Sequence, residues 1–507
     1  MAYYLGLDSG GTNTKAALFD EGGREIVSAS RDTAMLTPFP GYTARDMEEM
    51  YDSALSVIDE VVFKSAVDPA EILGLAICGH GKGLYLWGHD DYPVRSGIIS
   101  TDNRAYEYPA KWQQDGTEKA AFALSMQHIL PSQPVALLAW LRDNEPGVLE
   151  KTKWVFECKD YLRFRLTGEA FAERSDYSGA HLLNLSTGQY DQNLLALFGL
   201  ADIFDKLPPL RNSFDLCGRI TQEAAAKTGL LPGTPVAGGA FDIDACAIAA
   251  GVTNDEYICM IAGTWSINEY VSSAPVTDGR VLMNSLFCEA GRYLIEESSP
   301  TSAGNLEWFI RSLFPELRAS LPDGDIYGLI NSEVSSLSAD EPCPIFLPFL
   351  LGSNVHPGAR GSLIGLLGYH TRAHILRAVY EGVAFSHRFH FEKLMACRKT
   401  PPKAIRLAGG AARSQVWAQM FADVMGLPVE VIDANETGAL GCAVIASVAA
   451  GRNKTLDEAV AKMCRIGGRY DPNSAAIEAY DKKYMLYTKA TESLNGFWDA
   501  LAASERR

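Results

Sequence analysis

The stretch "LGLDSGGTNTKAALFD", residues 5–20, places two apolar runs on either side of a short polar turn. Such runs predict two β-strands, and the glycines between them predict a tight hairpin. The turn region also carries Asp8 at the end of the first strand and Lys15 at the start of the second. Two interpretations stay open at this point: an ordinary hairpin with a satisfied aspartate, or a hairpin whose turn holds a metal-bound anion.

The bulk composition is typical of a large globular protein. The chain has 507 residues, of which 47% are hydrophobic and 21% are charged. This length predicts roughly three units of ~150 residues. The formal net charge of −17 argues against a surface for nucleic acid or anionic membrane, because either surface needs a basic face. Any anionic ligand must therefore be held by local cations or backbone N–H groups.

The sequence gives no signal for export or membrane insertion. Met1 leads directly into strand-like residues, and no apolar run approaches the ~20 residues that span a bilayer. The ten cysteines are scattered without a CxxC pair, so we expect buried, reduced thiols in a cytoplasmic protein. Two histidine pairs have a spacing that metals can use but no acidic third ligand nearby, and we expect core or surface histidines at positions 370, 374, 387 and 390.

The pattern of the opening hairpin recurs near the middle of the chain. Three short strands, a helix over about residues 44–64 and the buried strand "EILGLAICG" follow one another in the first part. The segment "YICMIAGTWSINEYVSS", residues 257–273, again predicts a strand, a Gly-Thr turn and a strand. Helices are predicted over about residues 372–395 and 414–426, with the strand "AIRLAGG" between them. We therefore predict two related α/β halves, joined near residues 245–255.

Both hairpin turns are suited to phosphate. The backbone N–H groups of Gly10 and Gly11 could come close to phosphate oxygens, and Asp8 could orient Mg²⁺ or its water shell. Further donors near this turn are Thr12, Asn13, Thr14 and Lys15. Gly263 and Thr264 form a second turn of this kind, and one such turn in each half fits a nucleotide clamped between two domains.

A third segment, "TPVAGGAFDIDACAIAAG" (residues 234–251), places Asp242 where a strand ends and a helix of small residues begins. In phosphoryl transfer, one carboxylate of this kind accepts the proton of the acceptor hydroxyl. Asp244 would point elsewhere on the helix, so we prefer Asp242, and a simple helix cap is the alternative. In "LAGGAARSQVW", Gly409 and Gly410 end a strand and form an open shelf on which a purine could lie.

These segments resemble the FGGY carbohydrate kinases, which belong to the actin/hexokinase/Hsp70-like fold group. The resemblance runs from about Tyr4 to Arg452, and its most specific part is "GSLIGLLGYHTRAHILRAVYE", residues 361–381. It implies an α/β fold of two actin-like (ribonuclease H-like) domains with an ATP/sugar cleft between them. The expected domains are residues 1–248 on the sugar-binding side and residues 249–507 on the ATP-binding side.

The resemblance also implies roles for single residues, with ATP and Mg²⁺ as cofactors. Asp242 matches the catalytic base of the family and Asp8 the carboxylate that positions Mg²⁺. The motifs for phosphate and adenosine fall on Gly10, Gly11, Thr12, Asn13, Thr14, Lys15, Gly263, Thr264, Gly409, Gly410, Ala411 and Ser414. One departure is Leu137, where the family usually has Lys, and we expect the helix around it to be structural rather than catalytic.

The expected sugar pocket departs from that of typical xylulokinases, which carry a Gln-Met-His run where this chain has His80, Gly81 and Lys82. The Asp-x-Arg segment that follows in xylulokinases is matched here by "STDNRA". The combination of "GKG", "SPTSAGNLEWF" and "LPFLLGSN" is most similar to the L-xylulose/3-keto-L-gulonate kinases. The resemblance implies ATP-dependent phosphorylation of a terminal hydroxyl of one or both of these substrates. The expected substrate-binding residues are Gly81, Lys82, Asp102, Arg104 and Asp242.

Lys82 suggests a reason for a keto acid substrate. Its ammonium could pair with the substrate carboxylate as a point charge, whereas the alternative is a solvated loop lysine.

Other activities stay open. D-xylulose, L-ribulose or a polyol such as erythritol or glycerol would use the same ATP site, and a nucleotide-dependent sugar-binding switch would bind without transfer. Asp242 favours an enzyme, because a switch needs no base beside a sugar. The expected partner is a small-molecule sugar, with no nucleic acid and no membrane. The resemblance also allows a homodimer, although no residue pattern indicates an interface.

Overall fold

The computed structural model describes residues 1–321 and 323–505. The chain divides into two compact units, and each is assembled from segments that are distant in sequence. The first unit consists of Met1–Asn254, Val271–Ile295 and Ala434–Arg465, and the second of Asp255–Tyr270, Glu296–Asp433 and Ile466–Arg507. The expected domains, residues 1–248 and 249–507, stay a prediction. The compact units differ from them because two later segments belong to the first unit.

Strands and helices alternate along the described chain. The strands are β1 Tyr3–Ser9, β2 Asn13–Asp20, β3 Glu25–Asp32, β4 Ala44–Arg45, β5 Ile72–Gly79, β6 Tyr85–Gly88, β7 Gly97–Ile98, β8 Thr152–Phe156, β9 Ala172–Glu173, β10 Leu183–Asn184, β11 Gln189–Tyr190, β12 Leu210–Arg211, β13 Leu216–Arg219, β14 Pro235–Ala237, β15 Ala240–Phe241, β16 Tyr257–Ala262, β17 Ser266–Ser272, β18 Met283–Leu286, β19 Tyr293–Ser299, β20 Ile345–Leu347, β21 Ser362–Ile364, β22 Ala404–Ala408, β23 Val429–Ile432 and β24 Ile466–Tyr470. The helices are α1 Met47–Ser65, α2 Glu107–Asp115, α3 Thr117–Ser125, α4 Pro134–Asn144, α5 Pro146–Lys151, α6 Cys158–Thr167, α7 Arg174–Ser178, α8 Gln192–Leu197, α9 Gln222–Thr228, α10 Asp242–Ala249, α11 Gly304–Leu313, α12 Pro315–Ser320, α13 Asp323–Ser335, α14 Arg372–Ala396, α15 Gln415–Met425, α16 Thr437–Ala449, α17 Leu456–Met463, α18 Ser474–Ser493 and α19 Asn495–Glu505. Short 3₁₀ helices lie at Pro69–Glu71, Ala201–Lys206 and Gly410–Arg413.

The first large sheet is mixed and is centred on β1 and β5. Among the described residues it has seven strands, in the order β13-β14-β5-β1-β2-β3, with β15 also pairing with β5. β1 runs parallel to β5 and antiparallel to β2, and β15 runs parallel to β5. The ends of β1, β5 and β15 therefore meet at one edge of the sheet, which is where the predicted site residues of the first unit begin.

Helix α1 covers one face of this sheet, as its apolar period predicts. Asp46 caps the helix, and its carboxylate accepts hydrogen bonds from the backbone N–H groups of Glu48 and Glu49. Leu5 and Leu7 of β1 belong to the same buried apolar cluster as the inner face of α1. Because successive residues of a strand point to opposite faces, Gly6 and Asp8 point to the other face.

Helix α16 packs on that other face, and glycines permit its close approach. A Cβ atom on Gly6 would lie 1.9 Å from the carbonyl oxygen of Ala439 in α16. A Cβ atom on Gly441 of the same helix would lie 2.0 Å from the carbonyl oxygen of Ala245 in α10. Both helices therefore touch backbone directly, and the start of α16 comes close to the end of β1.

The second large sheet repeats the mixed pattern. It also has seven strands within the described part of the chain, in the order β18-β19-β17-β16-β22-β23-β24. β16 pairs antiparallel with β17 and parallel with β22, with Ile261 opposite Ala408. The hairpin predicted over residues 257–273 and the helices predicted near 372–395 and 414–426 are confirmed, with ends shifted by at most two residues in α14 and α15.

Three further expectations concern Leu137, the cysteines and membrane-spanning helices. Leu137 is fully buried in α4 within a second apolar cluster of the first unit, so a lysine would not fit its surroundings. All ten cysteines are free thiols; six are buried as expected, and four are only half-buried (Cys246, Cys343, Cys397 and Cys464). None of the helices in the described residues is both long and apolar enough to cross a bilayer.

Candidate active site

Asp8 lies where several elements of the first unit meet. Its register partners are Lys15 in β2 and Cys78 in β5. A Cβ atom on Gly438, near the start of α16, would lie 2.6 Å from Asp8 Oδ2, so only a glycine leaves room for this carboxylate. Burial raises the pKa of Asp8, and the charge of Lys15 and a hydrogen bond from Cys78 oppose that rise.

The first hairpin turn is held from behind by Arg45, a residue that the sequence analysis missed. Its side chain is buried, and Nη1 donates a 2.7 Å hydrogen bond to the carbonyl oxygen of Gly10. Nη2 lies 3.5 Å from the hydroxyl of Thr14. Arg45 belongs to no motif and lies 35 residues from Gly10, so local pattern provides no signal for it.

The predicted donors of this turn do not all face the same way. Thr12 is exposed and Gly11 faces open space. Thr14, however, is buried, and its hydroxyl lies 3.5 Å from that of Ser9. Lys15 forms a 2.8 Å ion pair with Glu436. The predicted donors therefore fall into two groups: the turn itself, Gly10 to Asn13, and the residues Thr14 and Lys15, whose side chains bind other groups of the protein.

Asp242 is the first residue of α10 and directly follows β15, as predicted. Gly239 has a φ of 81°, and a Cβ atom there would lie 2.0 Å from the carbonyl oxygen of Ile77, so this bend requires glycine. Burial raises the pKa of Asp242 well above that of an ordinary carboxyl, and the neighbouring Asp8 adds to the rise. Asp244 contacts Cys288, with Oδ1 3.7 Å from Sγ, and so points elsewhere on the helix.

The turn after β5 brings Lys82 to the same region. Lys82 is only 6% exposed, so it is not a solvated loop residue. It has a φ of 63°, an uncommon backbone conformation for a residue other than glycine. Its positive charge opposes the rise in the pKa of Asp242. Gly81 packs on the ring of Phe241, where a Cβ atom would lie 2.2 Å from Cε2.

The other two predicted sugar-binding residues form a closed pair. Arg104 binds Asp102 through two hydrogen bonds of 2.9 Å, and both side chains are almost fully buried. The backbone N–H of Thr43 donates a 2.7 Å hydrogen bond to the same carboxylate. The guanidinium also stacks on the rings of Tyr42 and Trp140, at 4.6 and 5.3 Å from their centroids. Both side chains are therefore engaged by other groups of the protein.

In the second unit, the predicted phosphate turn and the predicted adenosine turn are neighbours. Gly409 has a φ of 85°, and a Cβ atom there would lie 2.6 Å from the carbonyl oxygen of Ala262 and 3.0 Å from the nitrogen of Gly263. The turn at Gly263 and Thr264 is held by backbone donors, since Ser302 N donates to Thr264 O at 2.9 Å. These contacts create a surface of bare backbone.

The remaining adenosine-motif residues are structural in their contacts. Ala411 is fully buried, and Ser414 caps α15 by accepting a 3.1 Å hydrogen bond from the N–H of Trp417. The hydroxyl of Ser414 donates to Asn331 at 2.6 Å. Gly410 is exposed beside them. The exposed backbone of this turn is thus at Gly409 and Gly410.

The histidines of α14 are core residues, as expected. His387 is buried between Asn268 and Ser302, with hydrogen bonds of 2.8 Å to each. Burial lowers the pKa of His387 to about 3, so this imidazole is neutral. His390 pairs with Glu297 at 2.9 Å. In the part of the chain that the structure describes, no group of three or more His, Cys, Asp or Glu side chains could hold a metal ion.

The donor set of the first unit nevertheless suits Mg²⁺. Asp8 and Asp242 are hard oxygen ligands, and the charge of Asp8 raises the pKa of Asp242. A cation near Asp8 would relieve this repulsion. Mg²⁺ is usually bound by one or two carboxylates together with waters and substrate phosphates, so a dedicated protein cage is not required.

Comparisons with known proteins cover almost the whole chain. Residues 3–249 match the N-terminal domain of the FGGY family of carbohydrate kinases, and residues 258–450 match its C-terminal domain. The chain is 37% identical to the L-xylulose/3-keto-L-gulonate kinase of Escherichia coli (strain K12), with 98% of each chain covered. It is 36% identical to a probable L-xylulose kinase of Pasteurella multocida (strain Pm70), covering 97% of this chain and 99% of the relative.

Solved structures give the same picture of the fold. The structure of xylulose kinase from Rhodospirillum rubrum matches 98% of this chain and 100% of its own, with a TM-score of 0.84 and 27% identity. A ligand-bound xylulose kinase from Lactobacillus acidophilus matches 99% of this chain and 100% of its own, with a TM-score of 0.88 and 23% identity. The predicted fold class, two α/β units of the actin-like (ribonuclease H-like) type, is confirmed.

Proposed function

Because the chain belongs to the FGGY family of carbohydrate kinases, we propose that it transfers the γ-phosphoryl group of ATP to a terminal hydroxyl of L-xylulose, of 3-keto-L-gulonate or of both. The observation that carries the reaction class is the position of Asp242, at a glycine-dependent bend and within the electrostatic reach of Asp8 and Lys82. The substrate class is supported by the names of the relatives at 36–37% identity.

Asp242 accepts the proton of the sugar hydroxyl in this mechanism. Burial and Asp8 raise its pKa, so its carboxylate holds a proton more strongly than an ordinary aspartate does. Asp8 would hold Mg²⁺ or its water shell, and the bound ion would neutralise phosphate charge. The backbone from Gly10 to Asn13 contacts phosphate oxygens, while Thr14 and Lys15 support the turn through Arg45 and Glu436.

The second unit carries backbone groups that suit a nucleotide. We assign Gly263 and Thr264 to phosphate. The assignment is supported by the hydrogen bond from Ser302 N–H that holds their turn, and by the open space at the Cβ position of Gly263. Gly409 and Gly410 present the flat surface on which the adenosine lies. Ala411 and Ser414 keep that surface in place, since the first is buried and the second caps α15.

Lys82 is the residue that we assign to the substrate carboxylate of a keto acid. It is buried, and its charge acts on Asp242, so a sugar next to Asp242 also lies within reach of this ammonium. Gly81 and the Asp102–Arg104 pair are the further residues that we assign to the sugar pocket. A charge-assisted hydrogen bond of this kind contributes about 1.5–3 kcal/mol, or roughly 10–100-fold in affinity.

The variant Lys82→Met tests this assignment. We expect kcat/KM for 3-keto-L-gulonate to fall by roughly 10–100-fold and kcat/KM for L-xylulose to change by less than about threefold. A coupled assay of ADP release measures both values. An equal loss on the two substrates, or no loss on either, would contradict the role of Lys82.

The test of the proposed function itself is sugar-dependent ADP release with Mg-ATP. The acceptors to compare are L-xylulose, 3-keto-L-gulonate, D-xylulose, L-ribulose, erythritol and glycerol. Preference for the first two is the expected result. Preference for another acceptor would keep the kinase and discard the assigned substrate, and folded, ATP-binding protein that releases no ADP with any of them would favour a sugar-binding switch.

We further propose that the protein is cytoplasmic and forms a homodimer. Ten free thiols and the need for ATP support a reducing, nucleotide-rich compartment. A dimer would double the chain mass of 55.1 kDa, and light scattering coupled to gel filtration measures it directly.

A further inference from the structure

A network of buried charges lies directly behind the turn that carries Asp242. At its centre is Lys159, whose Nζ lies 3.2 Å from Asp160, 3.2 Å from Asp176 and 3.4 Å from Glu173. Arg163 joins the same network through a 2.6 Å ion pair with Asp160. All five side chains are at most 1% exposed, and none has a role in the mechanism described above.

Glu173 connects this network to the base. Its Oε2 accepts a 2.7 Å hydrogen bond from the hydroxyl of Ser175, and Oε1 accepts a 2.8 Å hydrogen bond from the hydroxyl of Ser213. The hydroxyl of Ser175 in turn accepts a 3.1 Å hydrogen bond from the backbone N–H of Phe241. Phe241 is the residue immediately before Asp242.

The direction of these hydrogen bonds is determined by chemistry. A serine hydroxyl has one proton to donate and two lone pairs that accept. A carboxylate such as that of Glu173 only accepts, so Ser175 gives its proton to Glu173 and turns a lone pair towards Phe241 N–H. Lys159, 3.4 Å from the same Oε2, keeps negative charge on Glu173 compensated inside the core.

A second anchor acts at the other end of the same segment. Arg163 Nη1 donates a 2.7 Å hydrogen bond to the carbonyl oxygen of Gly238. The backbone N–H of Gly239 donates to the carbonyl oxygen of Ser213 at 3.2 Å. The segment between Gly238 and Phe241 is therefore tied to the network at both ends, and Asp242 follows without a residue between.

We propose that Ser175 is a positioning residue for the base Asp242, held in its orientation by the buried Lys159–Glu173 pair. The inference rests on the proposed phosphoryl transfer, because it assigns Ser175 a role in setting where the Asp242 carboxylate meets the acceptor hydroxyl. Misplacing a catalytic group by about 1 Å can cost on the order of 100-fold in rate. The amide of Phe241 is the point through which Ser175 acts.

The variant Ser175→Ala removes the acceptor of the Phe241 N–H with a minimal change in volume. We expect kcat for sugar phosphorylation to fall by roughly 10–100-fold, while KM for Mg-ATP stays within about twofold of the original. Amide hydrogen exchange, followed by mass spectrometry on peptides that contain residues 238–245, should show faster exchange at Phe241.

Ser213→Ala is the matched control. It removes the other serine hydroxyl from Glu173, and Ser213 is likewise 1% exposed, but its hydroxyl has no bond to Phe241. We expect similar thermal stability in the two variants, and in Ser213→Ala a kcat within about threefold of the original and unchanged exchange at Phe241.

Equal kcat values in the two variants, or unchanged exchange at Phe241 in Ser175→Ala, would overturn the inference. Failure of the proposed function looks different, because the unsubstituted protein would then show no sugar-dependent ADP release at all. If the unsubstituted protein were inactive and Ser175→Ala still exchanged faster at Phe241, the hydrogen bond from Phe241 to Ser175 would be confirmed and its role in catalysis refuted.

Discussion

The two units carry candidate binding residues of different chemical kinds. In the first unit the chemistry lies on charged side chains, with Asp8 raising the pKa of Asp242 and Lys82 opposing that rise. In the second unit it lies on bare backbone, at the neighbouring turns of Gly263 and Gly409. The difference indicates that the first part is sensitive to the loss of a charge, and the second to the addition of a single carbon atom.

The two hairpin turns show the same contrast in how they are supported. The first is held by a cation, Arg45, on the carbonyl oxygen of Gly10. The second is held by the backbone N–H of Ser302 on the carbonyl oxygen of Thr264, with the neutral imidazole of His387 bonded to the Ser302 side chain. A similar glycine–hydroxyl turn is thus stabilised once by charge and once by neutral groups.

The largest effect should come from Asp242→Asn, which removes the charge that accepts the proton and preserves the shape. We expect kcat to fall by ~10²–10⁴-fold, the usual range for a lost general base, while ATP binding survives. Single-turnover phosphorylation and nucleotide titration measure the two quantities.

Asp244→Asn is the matched control for Asp242→Asn, since Asp244 lies in the same helix but contacts Cys288. Its kcat should stay within about tenfold of the original. Comparable losses in the two variants would remove the distinction between them, and with it the assignment of the base.

A carbon atom added to the second unit should have the next largest effect. Gly409→Ala places Cβ against the carbonyl oxygen of Ala262 at a φ of 85°, so we expect a destabilisation of about 1–3 kcal/mol and weaker ATP binding. Gly263→Ala places Cβ in open space and should leave the stability unchanged. Denaturation midpoints compare the two, and equal midpoints would contradict the structural contrast between these turns.

Removing the group that supports each hairpin should lower kcat/KM for ATP more in the first unit than in the second. Arg45→Met leaves the carbonyl oxygen of Gly10 without its charged donor, and we expect kcat/KM for ATP to fall by roughly 10-fold. Ser302→Ala keeps the backbone hydrogen bond to Thr264, and we expect it to lower kcat/KM for ATP by less than about threefold. The ratio of the two losses is the measurement, and a ratio near one would show that the hairpins are supported alike.

The smallest predicted effect is on the pH dependence of folding stability. Burial raises the pKa of Asp244 well above its ordinary value, so the folded protein keeps a proton that the unfolded chain releases as the pH rises above about 4. Asp244 therefore lowers the stability with increasing pH. Burial lowers the pKa of His387 to about 3, so the unfolded chain binds a proton below about pH 6.5 that the folded protein does not bind. His387 therefore lowers the stability with decreasing pH.

Two variants measure these opposite slopes. When the pH rises from 5.5 to 7.5, the free energy of unfolding of Asp244→Asn should increase by about 1 kcal/mol or more relative to the original protein. When the pH falls from 7.5 to 5.5, that of His387→Asn should increase by about 1 kcal/mol relative to the original protein. Urea denaturation at both pH values gives the differences. Parallel pH profiles for the original protein and either variant would contradict the protonation state assigned to that residue.

Local pattern predicted a large part of the fold and the positions of two candidate site residues within it. The hairpin of residues 5–20, the strand before Asp242 and the helices near 372–395 and 414–426 are each visible in a short window, because their apolar period and their glycines are local properties. The two carboxylates Asp8 and Asp242 were found for the same reason, since each stands directly at the end of a strand.

Residues that act across the fold escaped the same analysis. Arg45 reaches Gly10 from another element, and Glu436 reaches Lys15 over 421 positions of sequence. Ser175 meets Phe241 over 66 positions. Their types are common in loops and helices, so neither composition nor spacing marks them, and only a shared location in space makes them partners.

The sequence by itself determined which segments become strands, turns and helices, and which carboxylates stand at strand ends. Tertiary structure decided what those groups experience. It withdrew Asp8 and Asp242 from solvent enough to raise the pKa of each, turned Lys82 inwards and closed Asp102 on Arg104. The physical reason is that secondary structure follows from local backbone preference and periodicity, whereas burial and charge interactions depend on contacts between segments that the chain brings together only when it folds.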